Sequence, residues 1–217
     1  VVLLLFSLLF YSWGEPRCVF LMLAAALAAY CCGLVMDRAE RQSRPRLKKA
    51  ALLVSVILLV GNLFIFKYLN FFADNLSRLF GAASAIPAIA LPIGISFYTF
   101  QILSYVIDLY RGQIAVQRNY FDLTLYVSFF PQLIAGPIVR YQTIEQEIRQ
   151  RTESLDDVTA GLKRFILGLG KKVLIANNVA AVSTLIYAGD PAYYGTAMYW
   201  LAALAYALQI YFDFSGY

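Results

Sequence analysis

The chain alternates apolar runs with short polar stretches. Val1–Trp13 is apolar but only 13 residues long. A helix needs about 20 apolar residues to cross a bilayer core. This run therefore reads as the tail of a first span. Cys18–Met36 is a second span, with a small-residue run at Ala24–Ala29 suited to close helix contact. Asp37–Lys49 follows as a polar loop with six basic residues and two acids. Ala50–Phe66 is a third span, with Lys67 placed to snorkel at its end. Tyr68–Ala90 is mixed, and a short interfacial helix is expected there. Leu91–Tyr110 is a fourth span whose Pro92 and Gly94 predict an irregular start. Arg111–Asp122 is a second basic loop.

The next element breaks the pattern. Leu123–Val139 is apolar, but Pro131, Gly136 and Pro137 interrupt it, and Arg118 and Arg140 flank it. It reads as a re-entrant segment that enters and leaves on one side. Irregular backbone at membrane depth persists only where protein or a water-filled cavity satisfies its polar groups. Ser154–Asp157 then forms a capping box, a helix start. Val158, Leu162, Phe165, Ile166, Leu169 and Val173 share one face at helical spacing, with Lys163, Arg164, Lys171 and Lys172 on the opposite half. Two readings stand. The helix lies in the interface with its lysines toward anionic headgroups, or it begins the span that Val173–Ala188 completes. Met198 opens a last apolar run that reaches Tyr217 with no polar tail. The expectation is an all-α, polytopic transmembrane bundle with a broken, re-entrant segment. Residues 1–217 read as a single membrane domain, an internal piece of a longer protein truncated at both ends.

Composition supports that class. The chain is 61% hydrophobic and 14% charged, against about 25% charge in soluble domains. Its net charge of +5 does not point to nucleic acid. The basic residues gather at segment ends, as the cytoplasmic side of a membrane protein requires. The lipid bilayer is thus the first expected partner. Cys18, Cys31 and Cys32 lack metal-ligand spacing, and the chain has no histidine, so they read as small packing residues of a helix. No metal site is expected.

Polar residues inside membrane segments narrow the chemistry. They are Gln101 and Asp108 in the fourth span, Gln132 in the broken segment, and Gln209 and Asp213 in the last run. Asp108 reads as the partner of Arg111, three residues on. Gln101 reads as an inter-helix hydrogen-bonding residue ahead of a ligand contact. Asp213 stands beside Ser215 and Gly216, which can bend the chain. No nucleophile–base pair and no phosphate-binding glycine loop can be assembled from these residues.

Three stretches say more: LPIGISFYTFQILSYVIDLYRG (Leu91–Gly112), YVSFFPQLIAGPIVRY (Tyr126–Tyr141) and QIYFDFSGY (Gln209–Tyr217). Together they resemble the membrane-bound O-acyltransferase family, and most closely its bacterial alginate O-acetyltransferase branch. LLFYSWGEP (Leu8–Pro16) and NLFIFKYLNFFADNL (Asn62–Leu76) fit the same branch. The resemblance implies a helical membrane enzyme that moves an acyl group onto a hydroxyl. It implies a thioester or carrier as acetyl donor, an exported polysaccharide as acceptor, a periplasmic partner protein, the bacterial inner membrane as location, and no bound cofactor. The histidine treated as catalytic in the family lies beyond the DFSGY stretch. No catalytic residue is therefore expected here, and the chain alone is expected to be inactive. Gln101, Gln132, Arg140, Asp213, Ser215 and Tyr217 become candidates for lining the substrate tunnel, with Pro131, Gly136 and Pro137 as a structural motif. Other branches, which carry D-alanyl or peptidoglycan acyl transfer, are the alternatives, as is a noncatalytic scaffold or transporter.

Overall fold

The computed structural model describes residues 1–80, 89–133, 139–149, 154–190 and 193–217. The described residues form helices and no strands. They divide into two compact units. The first holds α1 (Val2–Gly14), α2 (Cys18–Arg41), α3 (Pro45–Phe80), α4 (Ile95–Tyr110), α5 (Tyr120–Ser128), α6 (Phe130–Leu133) and α7 (Tyr141–Arg149). The second holds α8 (Leu155–Gly170), a π-helical segment (Lys171–Ala176), α9 (Asn177–Ala188) and α10 (Thr196–Gly216). Among the described residues, three helices are long and apolar enough to cross a membrane: Cys18–Arg41, Pro45–Phe80 and the continuous stretch Leu155–Ala188.

In the first unit the core forms around α4. Nine of its 16 residues are buried, which makes it a central helix rather than a lipid-facing one. Its helical length is only about 24 Å at 1.5 Å per residue, so the expected irregular start over Leu91–Gly94 is present. Gly94 takes φ +75°, and a Cβ there would stand 2.8 Å from the Leu133 carbonyl oxygen. Only glycine satisfies both conditions. The small-residue face of α2 does what its composition predicts. Met22, Ala26, Ala29, Gly33 and Met36 are buried at helical spacing. A Cβ on Gly33 would reach 3.2 Å from Leu109 of α4, so backbone and side chain are already in close contact there.

The α2–α3 turn closes with Ser43 in the left-handed region, φ 51°. The Arg44 amide donates to the Ala39 carbonyl at 2.8 Å, which satisfies one of the free carbonyls of the helix end. Pro45 then opens α3 at the first helical position, where its missing N–H loses nothing. The third span differs from its expected length. No boundary falls at Phe66: the helix runs on to Phe80. Phe64, Phe71 and Phe72 are largely exposed along it, a surface suited to lipid. The mixed composition after Lys67 does not interrupt the helix backbone.

The second unit bears on the two readings of the amphipathic helix. Ser154 caps it as predicted, its Oγ accepting from the Asp157 amide at 3.1 Å. The helix then passes through Lys171–Ala176 into α9 without a turn. It is the start of one long helix, Leu155–Ala188, which by length and composition could cross a membrane, and this continuity favours the reading as the start of a span.

Candidate functional site

Three of the residues singled out in the sequence come together in the second unit, at the C-terminal end of α10. Asp213 Oδ1 lies 2.5 Å from Lys172 Nζ. Lys171 Nζ donates to the Ser215 carbonyl at 3.3 Å. The Lys172 ammonium also stands over the Tyr217 ring, 5.1 Å from its centroid, within cation–π range. The last carbonyls of a helix lack intrahelical donors and carry the negative end of its dipole. Two lysines from one neighbouring element meet that need and neutralise the one carboxylate. The placement corrects the expectation that Lys171 and Lys172 face headgroups: both are turned onto α10.

The local backbone explains how. Lys171 and Lys172 open the π-helical segment, and π segments inside α-helices recur at functional positions. Just before it, α8 and α10 make direct backbone contact. A Cβ on Gly168 would collide with the Gly216 carbonyl oxygen, and a Cβ on Gly216 would lie 2.9 Å from the Gly168 carbonyl oxygen. Further along, Ser183 Oγ of α9 reaches Gln209 Oε1 of α10 at 3.5 Å. The motif at Asp213–Tyr217 is therefore held by charge, backbone packing and a polar contact at once. Asp213 is engaged by a lysine, whereas Ser215 and Tyr217 remain exposed.

The first unit holds a separate buried polar cluster. Gln101 Nε2 donates to the Tyr126 carbonyl at 2.8 Å, linking α4 to α5. This is the inter-helix role that the sequence favoured, and it takes up the amide. Tyr105, Tyr126 and Tyr141 are all 1% exposed or less. Tyr141 packs edge-on against the other two, each with centroids 5.1 Å apart. Their hydroxyls are placed too: Tyr126 donates to the Val139 carbonyl at 2.7 Å, Tyr105 accepts from the Gln117 amide, and Gln117 Nε2 donates to Tyr141 at 2.7 Å. Sequence reading missed this cluster because tyrosine-rich segment ends suggest a headgroup belt. The available signal was Tyr105, inside the fourth span at helical spacing from Gln101.

Asp108 corrects another expectation. No ion pair joins it to Arg111. Its side chain is buried, with Oδ2 lacking a partner, while Arg111 is exposed. Asp108 shares the inward face of α4 with Gln101 and Tyr105, seven and three residues earlier, and Arg111 begins the turn beyond the helix. In the broken segment, α5 stops at Phe129, which adopts extended ψ, two residues before the expected break at Pro131. Pro131 sits in the first turn of α6, on an exposed face. Gln132 Oε1 is buried without a partner, and Arg140 is exposed. Gly136 and Pro137 lie outside the described residues. The first-unit candidates and the Asp213 group thus belong to different units. Among the described residues, no group of histidine, cysteine, aspartate or glutamate could hold a metal, and the three cysteines are free thiols.

The chain is similar along its whole length to bacterial acetyl-transfer proteins. It is 39% identical over 221 residues to the Pseudomonas putida protein named "Probable alginate O-acetylase AlgI", covering 100% of this chain and 45% of that protein. It is 30% identical over 242 residues to the Helicobacter pylori peptidoglycan O-acetyltransferase, covering 99% of this chain and 45% of the relative. To the Bacillus subtilis teichoic acid D-alanyltransferase it is 27% identical over 133 residues, covering 58% and 32%. The chain thus spans less than half the length of each of these relatives. No family model matches it, and no solved structure does.

Proposed function

As a member of the membrane-bound O-acyltransferase family, by its likeness to alginate O-acetylases over its full length, this chain, we propose, is part of an enzyme that acetylates hydroxyls of an exported, alginate-like polysaccharide. The supporting observation is that full-length similarity. Identity falls from 39% with the alginate relative to 30% with the peptidoglycan one and 27% over a shorter stretch with the D-alanyl one. The acceptor class follows the highest identity among these three relatives.

Acetyl transfer of this kind requires a base to take the hydroxyl proton as oxygen attacks an activated carbonyl. In the family this chain resembles the base is a histidine, and these 217 residues contain none; the residues here are proposed to shape the path rather than move the proton. The donor is a thioester or acyl carrier, and the protein sits in the bacterial inner membrane with a periplasmic partner completing transfer. Ser215 and Tyr217 are the polar side chains of the α10 motif left exposed for contact, beside the exposed Phe214. Lys172 and Asp213 position them by fixing the last turn of α10. Gln101 serves the same end in the first unit by tying α4 to the broken segment.

The test is complementation in a bacterium whose alginate O-acetylase gene has been deleted. The full-length protein carrying this chain should restore O-acetyl groups on exported alginate, measured by NMR of the purified polymer. Restored acetylation of peptidoglycan with bare alginate would move the assignment to that branch.

A further inference from the structure

Apart from the α10 site, the first unit contains a cavity of about 260 Å³, lined by Met36, Asp37, Lys48, Leu109, Arg118 and their neighbours. It lies where the end of α2, the start of α3 and the end of α4 converge with the loop after α4. These are the basic ends of their segments, so the cavity is at a membrane boundary. We propose that it binds the phosphate headgroup of an anionic phospholipid.

The geometry of its arginines carries the proposal. Two guanidinium groups converge on a single carboxylate oxygen. Asp37 Oδ2 lies 3.1 Å from Arg41 Nε and 3.7 Å from Arg118 Nη2. Both arginine side chains remain mostly exposed, at 64% and 65%. A guanidinium offers five N–H donors, so one shared oxygen leaves most of each fork free. Asp37 thus orients two forks without saturating them. The base of Arg118 is fixed as well, since Tyr30 donates its hydroxyl to the Arg118 carbonyl at 2.8 Å. Arginine pairs of this kind suit phosphate, which accepts two parallel hydrogen bonds from one guanidinium.

Charge and shape agree. Lys48 pairs with Glu40 and also stands over the Tyr110 ring. Three cations, Arg41, Lys48 and Arg118, face two acids, Asp37 and Glu40, which leaves one positive charge in excess among the lining side chains. The rest of the wall is apolar: Met36, Leu109, Ile114 and Val116. A polar rim over an apolar floor matches a headgroup with its first glycerol carbons. The volume is below the roughly 300–1,000 Å³ of sites for whole drug-sized ligands, which favours a headgroup over a nucleotide-bearing cofactor.

The experiment uses the full-length protein carrying this chain, purified in a neutral detergent. Binding of phosphatidylglycerol is followed by native mass spectrometry and by the rise in melting temperature, with phosphatidylcholine as the neutral comparison. The expected result is selective binding of phosphatidylglycerol that weakens roughly tenfold or more in the Arg41→Gln, Arg118→Gln double variant. The lipid-free melting temperature should fall only slightly, since both arginines are exposed and their pairing with Asp37 is screened by solvent. If the double variant does not fold, Arg118→Gln alone gives the same reading at smaller size. Lys163→Gln with Arg164→Gln, on the exposed surface of α8, should leave binding unaltered. An equal loss there would show general attraction to the bilayer and overturn the site. Inorganic phosphate that raises the melting temperature on its own, with no lipid selectivity, would overturn the lipid assignment in favour of soluble phosphate.

Discussion

Lys172 and Asp213 form an ion pair between a π-helical segment and the last turn of a neighbouring helix, at 2.5 Å. Both side chains are about one-third exposed, so water screens the attraction, and its net contribution is about 1 kcal/mol or less. Its main effect is positional. Lys172→Met and Asp213→Asn should each lower stability by about that much. The charge swap Lys172→Asp with Asp213→Lys should recover part of the loss in a double-mutant cycle. In the full-length protein, Asp213→Ala should reduce polysaccharide acetylation severalfold. Full acetylation at an unchanged protein level would mean the pair does not position the motif.

A second outcome separates two glycines on one helix. A Cβ on Gly161 would meet no atom within 4 Å, whereas one on Gly168 would run into the Gly216 carbonyl oxygen. Gly161→Ala should stabilise by about 0.5–1 kcal/mol through helix propensity. Gly168→Ala should destabilise by about 1–3 kcal/mol, because backbone must move to admit the methyl group. Thermal melts of the two variants in detergent decide it, and a neutral Gly168→Ala would show that α8 and α10 are farther apart.

The tyrosine cluster predicts a graded series. Tyr126→Phe removes one hydrogen bond to the Val139 carbonyl and should cost about 1 kcal/mol. Tyr126→Ala also removes the edge-on contact with Tyr141 and leaves a cavity, at about 3–5 kcal/mol. Equal effects of the two changes would place the ring outside the core.

Asp108 and Arg111 give a test of opposite sign. If they were paired, neutralising either would destabilise. With Asp108 buried and Arg111 exposed, Arg111→Ala should change stability by less than about 0.5 kcal/mol. Asp108→Asn should hold or raise the melting temperature, since a neutral amide is easier to bury than a carboxylate with an unpartnered oxygen. A clear drop for Arg111→Ala would restore the pair.

Much of the fold was readable from periodicity. The small-residue face of α2, the irregular start at Gly94 and the Ser154 cap all follow from local chemistry, and each is found. The failures share a cause. Whether α3 ends at Phe66 or Phe80, and whether Lys172 faces lipid or Asp213, depends on the surroundings of a helix rather than on its own residues. A wheel diagram puts Lys171 and Lys172 on the polar side but says nothing of a carboxylate on α10, 41 residues away in sequence. The Gln101 bond was anticipated, because an amide in a membrane helix needs a partner. The tyrosine cluster was not, because an aromatic ring satisfies a core and a headgroup boundary equally well.

The contact between Gly168 and Gly216 has a genetic consequence. Each residue opposes the other's main-chain oxygen, and no natural side chain is smaller than hydrogen. A damaging change at one position therefore has no repairing change at the other. A screen for suppressors of Gly168→Ala should return revertants, or substitutions elsewhere that shift α10 as a whole, and never a variant at residue 216. The two positions are locked together yet barred from trading residues with each other.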